Sequence, residues 1–438
     1  MANSKNNFFS FFKTIFQNFF STEASSSLIL LLFTGLALFM ANSHWQGLYE
    51  TIIHYPLSIS LGNYSIKASF HYIINEALMS LFFFVVGMEI KRELIEGELS
   101  SAKKASLPLI AAIGGSLVPA LIFYFFNQGL ETERGWGIPM ATDIAFAIGV
   151  MSLLSHKVPF SLKIFLLSIA IIDDIIAVLV IALFYSQTIS GPFLALTFIV
   201  CFAIFLYFKL HINNSFLLAF LAIALWSCLY NSGIHATLSG VILGALIPGK
   251  NRWTKKQALD SVRKVFTKKA ETSLSELKTL KGMVGDTKPI LQRLISFYHP
   301  YVSYIIMPLF AFANAGILIK GVELKSWIQS PVSLGIILGL FLGKPLGITL
   351  FSYLACKIKI SQKPSNISWT QIVAMSCLAG IGFTMSLFIL NLGLGAESSA
   401  YFFAKMSIIL ASFASAVTGL ALLGFGKTIP LSQRKGPI

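Results

Sequence analysis

Four ionisable residues stand inside stretches otherwise built of apolar side chains: Asp143, Asp173, Asp174 and Lys344. Asp173 and Asp174 occupy the middle of the run 161–186. Lys344 occupies the middle of 332–356, and Asp143 is the eighth residue of 136–155. A further lysine, Lys405, falls inside 400–425. A charge at mid-helix in a bilayer costs roughly 2.5–3.5 kcal/mol on insertion scales, so four cost on the order of 10 kcal/mol. Such a load calls for a compensating role. A buried Asp–Lys pair that only holds helices together needs one aspartate, and here there are three. Carboxylate and hydroxyl oxygens suit a hard cation. The same carboxylates take protons. A site where proton and cation compete has the minimum chemistry of exchange.

Spacing refines this. Adjacent residues on a helix project about 100° apart. Asp173 and Asp174 therefore cannot meet one partner head-on: one faces an ion site while the other faces a lysine or a neighbouring helix. Asp143 comes from the preceding run, which crosses the other way, so three carboxylates converge near the midplane.

The elements that carry these residues follow from composition. The 438-residue chain is 55% hydrophobic and 12% charged, with a mean hydropathy of +0.77. Soluble chains run about 45–50% apolar and 25% charged. A soluble enzyme, a disordered protein and a nucleic-acid module are excluded, despite a net charge of +15. Apolar runs fall at 28–41, 76–90, 105–126, 136–155, 161–186, 192–210, 215–230, 233–248, 300–319, 332–356, 371–393 and 400–425. The expected fold is an all-α polytopic membrane protein of about twelve transmembrane helices, several shorter than the roughly 20 residues of a full crossing. A cleaved signal peptide at 28–41 is disfavoured by its long leader and by the many apolar runs that follow. Cys201, Cys228, Cys356 and Cys377 lie in apolar segments without pairing rhythm, and the seven histidines lack metal-ligand spacing.

Lysine and arginine orient the runs. With the amino terminus inside, alternate loops carry 27 basic residues inside and four outside. Both termini are then cytoplasmic, and the positive charge is an orientation signal that implies no nucleic-acid partner. The expected organisation is an N-terminal cytoplasmic segment 1–27, helices with an external hairpin over 28–104 and a core three-helix unit 105–186. Further helices cover 187–248, a basic cytoplasmic loop 249–299 and another helix with its external loop 300–331. A second core unit 332–425 and a tail 426–438 complete the chain. The loop 249–299 has 12 basic and four acidic residues. It reads as a solvated linker, with anionic lipid headgroups as a second reading. In the external segment 51–69, alternation through Ser58-Ile59-Ser60-Leu61, then Gly62-Asn63, then Tyr64-Ser65-Ile66 predicts a small β-hairpin. Pro56 limits its first strand to an edge.

Two core runs are interrupted. Gly135-Trp136-Gly137-Ile138-Pro139 leads into Met140-Ala141-Thr142-Asp143, and Ala379-Gly380-Ile381-Gly382-Phe383-Thr384 puts two glycines at mid-run. Each is the middle member of a three-helix unit, and the two units, spans 3–5 and 10–12, run in inverted order. Interrupted helices at matching positions of inverted repeats point to a midplane site.

These residues resemble the NhaA family of sodium/proton antiporters. The likeness is carried by Ala141-Thr142-Asp143-Ile144-Ala145-Phe146-Ala147, Ile172-Asp173-Asp174, Gly233-Ile234-His235-Ala236-Thr237-Leu238, Pro308-Leu309-Phe310-Ala311-Phe312-Ala313-Asn314-Ala315-Gly316, Gly343-Lys344-Pro345-Leu346-Gly347 and Gly380-Ile381-Gly382-Phe383-Thr384-Met385-Ser386. It spans about 28–425. It implies that Asp173 and Asp174 are the exchanging carboxylates, with Asp174 the direct sodium ligand. Lys344 would pair with Asp173 and swap partners. Asp143 would balance helix ends between crossed unwound segments, with Thr142 beside it as an oxygen donor. It also implies electrogenic export of sodium or lithium against protons, rising at alkaline pH. The setting would be a bacterial inner membrane, without cofactor or enzymatic activity, and two protomers would be joined by the hairpin.

The resemblance places a pH-sensing cluster at Glu89, Arg92 and Glu93, where Glu89 and Glu93 share a face at i,i+4, and adds His299. Glu76 stands where the family usually has an aspartate. His235 reads as a structural histidine. Departures are the long 249–299 loop, and Ile295 and Ser296 where relatives carry titratable side chains. A sodium-coupled symporter of organic anions needs an organic-substrate pocket. An intramembrane aspartyl protease needs its two aspartates on separate helices, one within Gly-x-Gly-Asp, and that motif is absent.

Overall fold

A computed structural model describes residues 25–61, 64–186, 189–210, 212, 214–249, 289–319, 323–364, 366–395 and 398–425, with backbone alone at 58–61 and 64–67. Residues 1–24 of the expected cytoplasmic segment 1–27, most of the 249–299 loop, the tail and the Gly62-Asn63 turn lie outside these residues.

The described chain is helical but for one hairpin. In order it contains α1 (Ser25–Asn42), α2 (Gln46–Ile53), β1 (Pro56–Leu61), β2 (Tyr64–Ser69), α3 (Phe70–Glu96), α4 (Ala102–Asn127), a 3-10 segment (Glu131–Met140), α5 (Ile144–Leu153), α6 (Phe160–Phe184), α7 (Gly191–Lys209), α8 (Ser215–Asn231), α9 (Leu238–Leu246), α10 (Ile290–Ala315), α11 (Leu324–Gln329), α12 (Pro331–Lys357), α13 (Trp369–Ala379), α14 (Phe383–Gly393) and α15 (Ser399–Gly424). Among the described residues, α1, α3, α4, α6, α7, α10, α12 and α15 are long and apolar enough to cross a membrane. Two bent pairs can each make one more crossing: the 3-10 segment with α5, bent by 44°, and α13 with α14, bent by 45°. The other two expected runs form shorter helices, α8 of 17 residues and α9 of nine. Length and composition thus give eight to ten crossings, where the sequence suggested about twelve.

The outer surface fits lipid. Phe216 is 88% exposed and Leu183 74%, and such side chains line much of the outside of the bundle. A soluble protein does not leave apolar area of that extent in water.

The strands pair antiparallel from Pro56 with Ser69 to Leu61 with Tyr64. That is the expected hairpin, with Pro56 at the first strand position, where the missing N–H costs least.

Small residues set the packing, as is usual where lipid removes the hydrophobic drive between helices. A Cβ at Gly347 of α12 would lie 2.1 Å from the Gly114 carbonyl of α4. A Cβ at Gly240 of α9 would lie 2.1 Å from the Ser80 carbonyl of α3. The two helix pairs therefore touch backbone to backbone. On α12, Gly339 packs on the ring of Pro139, and Gly343 on Pro119.

Three helices contain π turns that the sequence did not announce: Ile73–Leu78 in α3, Val302–Ile306 in α10 and Gly339–Gly343 in α12. The last two lie just ahead of Pro308 and Pro345, which lack the N–H that would continue the regular ladder. Helix α10 starts ten residues before the expected 300. The stretch 290–299 is amphipathic and buries Leu291 and Ile295, and its polar face makes it read as loop.

Candidate functional site

The site is built where the two bent pairs cross. Both pairs unwind, at Ala141–Asp143 and at Gly380–Gly382, and the unwound strands bond to one another. The Asp143 amide donates to the Ile381 carbonyl at 2.7 Å. A Cβ at Gly382 would lie 2.2 Å from Ser386 Oγ, which donates to the Ile138 carbonyl, and 3.1 Å from the Ala141 carbonyl, so a side chain there would crowd the crossing.

Unwinding exposes helix ends, which need partners. Asp143 supplies them for two helices. Its Oδ1 accepts from the Phe146 amide at 3.0 Å, which makes it the N-cap of α5. Its Oδ2 accepts from the Thr384 amide at 3.2 Å, at the start of α14, and from the Thr384 hydroxyl. A carboxylate facing two helix N-termini offsets the positive ends of both dipoles. Ser412 Oγ accepts from the Phe383 amide at 3.1 Å. At the opposite pole, the carbonyl of Ala379 ends α13 and lies 2.9 Å from Thr142 Oγ1.

Lys344 and Asp173 make the central ion pair, with Nζ 2.7 Å from Oδ2 and both side chains fully buried. The ammonium also donates to Thr142 Oγ1. Thr142 Oγ1 lies 2.8 Å from the same Asp173 oxygen. One hydroxyl proton can serve Asp173 or Ala379 at a given moment. The second Asp173 oxygen, Oδ1, accepts from Ser116 of α4 at 3.2 Å. Both oxygens of Asp173 are therefore engaged.

Asp174 differs. It is 3% exposed, and its Oδ1 has no hydrogen-bond partner among the described residues. The hundred-degree divergence turns it from the Lys344 side towards a cavity of about 50 Å³. Thr142, Asp143, Glu89, His299 and Ser303 also line that cavity, together with apolar residues such as Phe82 and Met385. An unpartnered buried carboxylate oxygen is costly, and a cation or a proton would relieve it. Among the described residues there is no cluster of three or more His, Cys, Asp or Glu that could hold a resident metal.

The structure therefore brings Thr142, Asp173 and Lys344 into one hydrogen-bonded group, with Asp143 next to Thr142 in the chain and bonded to Phe146 and Thr384, and with Asp174 beside the group at the cavity. The cluster of Glu89, Arg92, Glu93 and His299 divides. Glu89 Oε1 lies 3.8 Å from His299 Nε2 across the cavity. Glu93 turns elsewhere: its Oε1 accepts from the Glu98 amide at 2.8 Å and its carboxyl covers Gly97. Neither Glu93 nor Arg92 lines the cavity. Glu76 sits in the π turn of α3, and His235 Nε2 lies 2.8 Å from the Tyr185 carbonyl.

Two features escaped the sequence reading. Ser116 has no local signature, since only the fold carries it to Asp173. A second, part-buried polar group joins α3, α10, α14 and α15: Asn314 Nδ2 donates to Asn75 Oδ1 at 2.9 Å, and Asn391 Nδ2 donates to Asn314 Oδ1 at 2.8 Å. Tyr401 donates to Asn391, and Lys405 Nζ lies 4.9 Å from the centre of the Tyr401 ring. Asn314 and Asn391 inside apolar runs, with Asn75 just ahead of one, were the available signal.

The family model described as "Na+/H+ antiporter 1" matches residues 17–423. A protein of Clostridium beijerinckii named Na(+)/H(+) antiporter NhaA 1 is 44% identical over 94% of this chain and 95% of its own. The Na(+)/H(+) antiporter NhaA of Koribacter versatilis is 42% identical, over 93% of this chain and 90% of its own. That of Yersinia pseudotuberculosis is also 42% identical, over 93% and 96%. With a model that matches nearly the whole chain and relatives this similar along it, the chain belongs to the Na+/H+ antiporter 1 family.

Proposed function

We propose that this sodium/proton antiporter exchanges its ions at Asp174 and Asp173, with Lys344 as the counter-charge. The observation that carries the reading is the contrast between neighbours. Both oxygens of Asp173 are held, by Ser116, Thr142 and Lys344. Oδ1 of Asp174 is buried without a partner among the described residues. Asp174 is the open ligand. Sodium or lithium enters the cavity, binds the Asp174 carboxylate with Thr142 as an oxygen donor, and displaces a proton. Lys344 releases or regains Asp173 as that carboxylate changes its load. Asp143 keeps the two unwound strands charge-balanced throughout.

The cavity supports an ion over an organic substrate. Pockets for small organic ligands run about 300–1,000 Å³, whereas this one is about 50 Å³. The cycle runs by alternating access and is electrogenic. Protons load from outside, the core formed by α4 to α6 and α12 to α15 moves against the remaining helices, and cytoplasmic sodium displaces the protons. Activity rises at alkaline pH. That response belongs to the inner-end cluster of Glu89, Arg92, Glu93 and His299, with Glu89 and His299 the pair that shares the cavity. The protein lies in the bacterial inner membrane with both termini cytoplasmic, in contact with lipid, and pairs with a second copy through the β1–β2 hairpin.

The test is sodium-induced proton release in everted vesicles containing the wild type or Asp174→Asn, at neutral and alkaline pH. Dequenching of a pH-sensitive dye by the wild type alone, larger at alkaline pH, is the expected result. Well-expressed, folded wild type that gives no response at either pH overturns the reading.

A further inference from the structure

We infer that Ser116 is a positioning residue for exchange: its hydroxyl is the fixed hydrogen-bond donor to Asp173 while Lys344 is the partner that changes. The inference rests on the exchange site proposed above and adds a residue of α4 to it.

Ser116 is 4% exposed, and its Oγ lies 3.2 Å from Asp173 Oδ1. It follows Gly114 and Gly115, whose missing side chains let α4 approach α12 closely. A Cβ at Gly115 would lie 2.7 Å from Ile348 Cγ1. The same close approach brings a side chain as short as serine into the site. Ser116 and Lys344 thus hold opposite oxygens of one carboxylate, one from α4 and one from α12.

The two donors differ in kind. Lys344 carries a charge that must be rebalanced when sodium or protons load. Ser116 carries none, and its hydroxyl can donate to an ionised carboxylate or accept from a protonated one. When Lys344 leaves, Ser116 still fixes the plane of the Asp173 carboxylate. A hydrogen bond to the charged carboxylate is roughly twice as strong as one to the neutral acid. Loss of the hydroxyl therefore weakens the sodium-loaded state more than the proton-loaded one.

The experiment compares Ser116→Ala, Ser116→Thr and Ser116→Val with the wild type for sodium-dependent exchange in everted vesicles. Threonine and valine have the same shape, and only threonine can donate. The apparent KM for sodium rises roughly tenfold in Ala and Val, the equivalent of one charged hydrogen bond. It stays near wild type in Thr, and turnover at saturating sodium falls by less in every variant. A wild-type KM in Ala, or Thr and Val equally impaired, overturns the assignment while the exchange reading stands. No exchange by folded wild type overturns both.

Discussion

The amide of Asp143 donates to the carbonyl of Ile381 at 2.7 Å, a bond between the unwound centres of two bent helix pairs nearly 240 residues apart in sequence. Neither strand has a helical partner at that point, so each supplies the other's. The carboxylate of the same residue then caps the two helices that resume on either side. One residue thus satisfies backbone groups of both pairs, and the ion-pair chemistry of Asp173 and Lys344 is mounted beside it through Thr142.

Lys344→Ala leaves the Asp173 carboxylate buried without its counter-charge. Breaking a buried pair from one side costs roughly 3–5 kcal/mol. The apparent unfolding temperature in detergent, followed by tryptophan fluorescence, is expected to fall. The double variant Asp173→Asn with Lys344→Gln recovers part of the loss, because the two effects are coupled. Losses that simply add in the double variant would contradict the pairing.

Asp174→Asn has the opposite stability signature. It removes a charge from a buried carboxylate whose Oδ1 has no partner among the described residues, so the apparent unfolding temperature holds or rises while exchange is lost. Asp173→Asn unfolds at a lower temperature than Asp174→Asn. The same melting assay on the two neighbours reads the difference directly.

Asp143→Asn keeps the size of the cap and removes its charge from two helix N-termini. Each charge–dipole contact is worth roughly 0.3–2 kcal/mol, and an amide NH₂ group turned towards either amide adds to the loss. The variant is expected to be destabilised and to exchange poorly. Asp143→Ala is expected to be worse, because it removes the cap outright, at about a further 1 kcal/mol. Melting curves for the two variants check the order.

Gly240→Ala and Gly35→Ala make a matched pair. At 240 the new methyl would lie 2.1 Å from the Ser80 carbonyl, while at 35 it meets nothing within 4 Å. The first should fail to accumulate in the membrane or melt early. The second should be silent, or stabilised by roughly 0.5–1 kcal/mol through helix propensity. Membrane yield and melting temperature decide it.

Much of this arrangement is legible in the residues, and the reasons are local. Gly380 and Gly382 announce their break because two glycines at mid-run weaken a helix wherever it packs. The other break is displaced from the expected one. Pro139 drew attention, but it fits inside a 3-10 segment, and the chain unwinds at 141–143 instead. Thr142-Asp143 ahead of an apolar run is itself an N-cap pattern, which the proline obscured. The divergence of Asp173 and Asp174 follows from helix geometry alone. Which of them meets Lys344 does not, because it depends on where α4 and α12 pack. Glu89 and Glu93 lie four residues apart on one helix, yet Glu93 swings to the Glu98 amide at the helix end. The π turns of α10 and α12 have only Pro308 and Pro345 downstream as a mark in the residues, and that of α3 has no proline after it.

The bonds made by Asp143 also bear on how the membrane potential acts on the exchange site. Two helix starts carry about half a positive charge each, so together they offset its carboxylate. The negative helix end at Ala379 lies on the other side, beside Thr142 and Lys344. In the exchange proposed above, one sodium ion would add one positive charge to the site, and a proton on each of Asp173 and Asp174 would add two. The two loaded forms would therefore feel the membrane field differently, by about 2.3 kcal/mol per 100 mV for the charge that separates them. An interior-negative potential would draw the proton-loaded form inward more strongly than the sodium-loaded form.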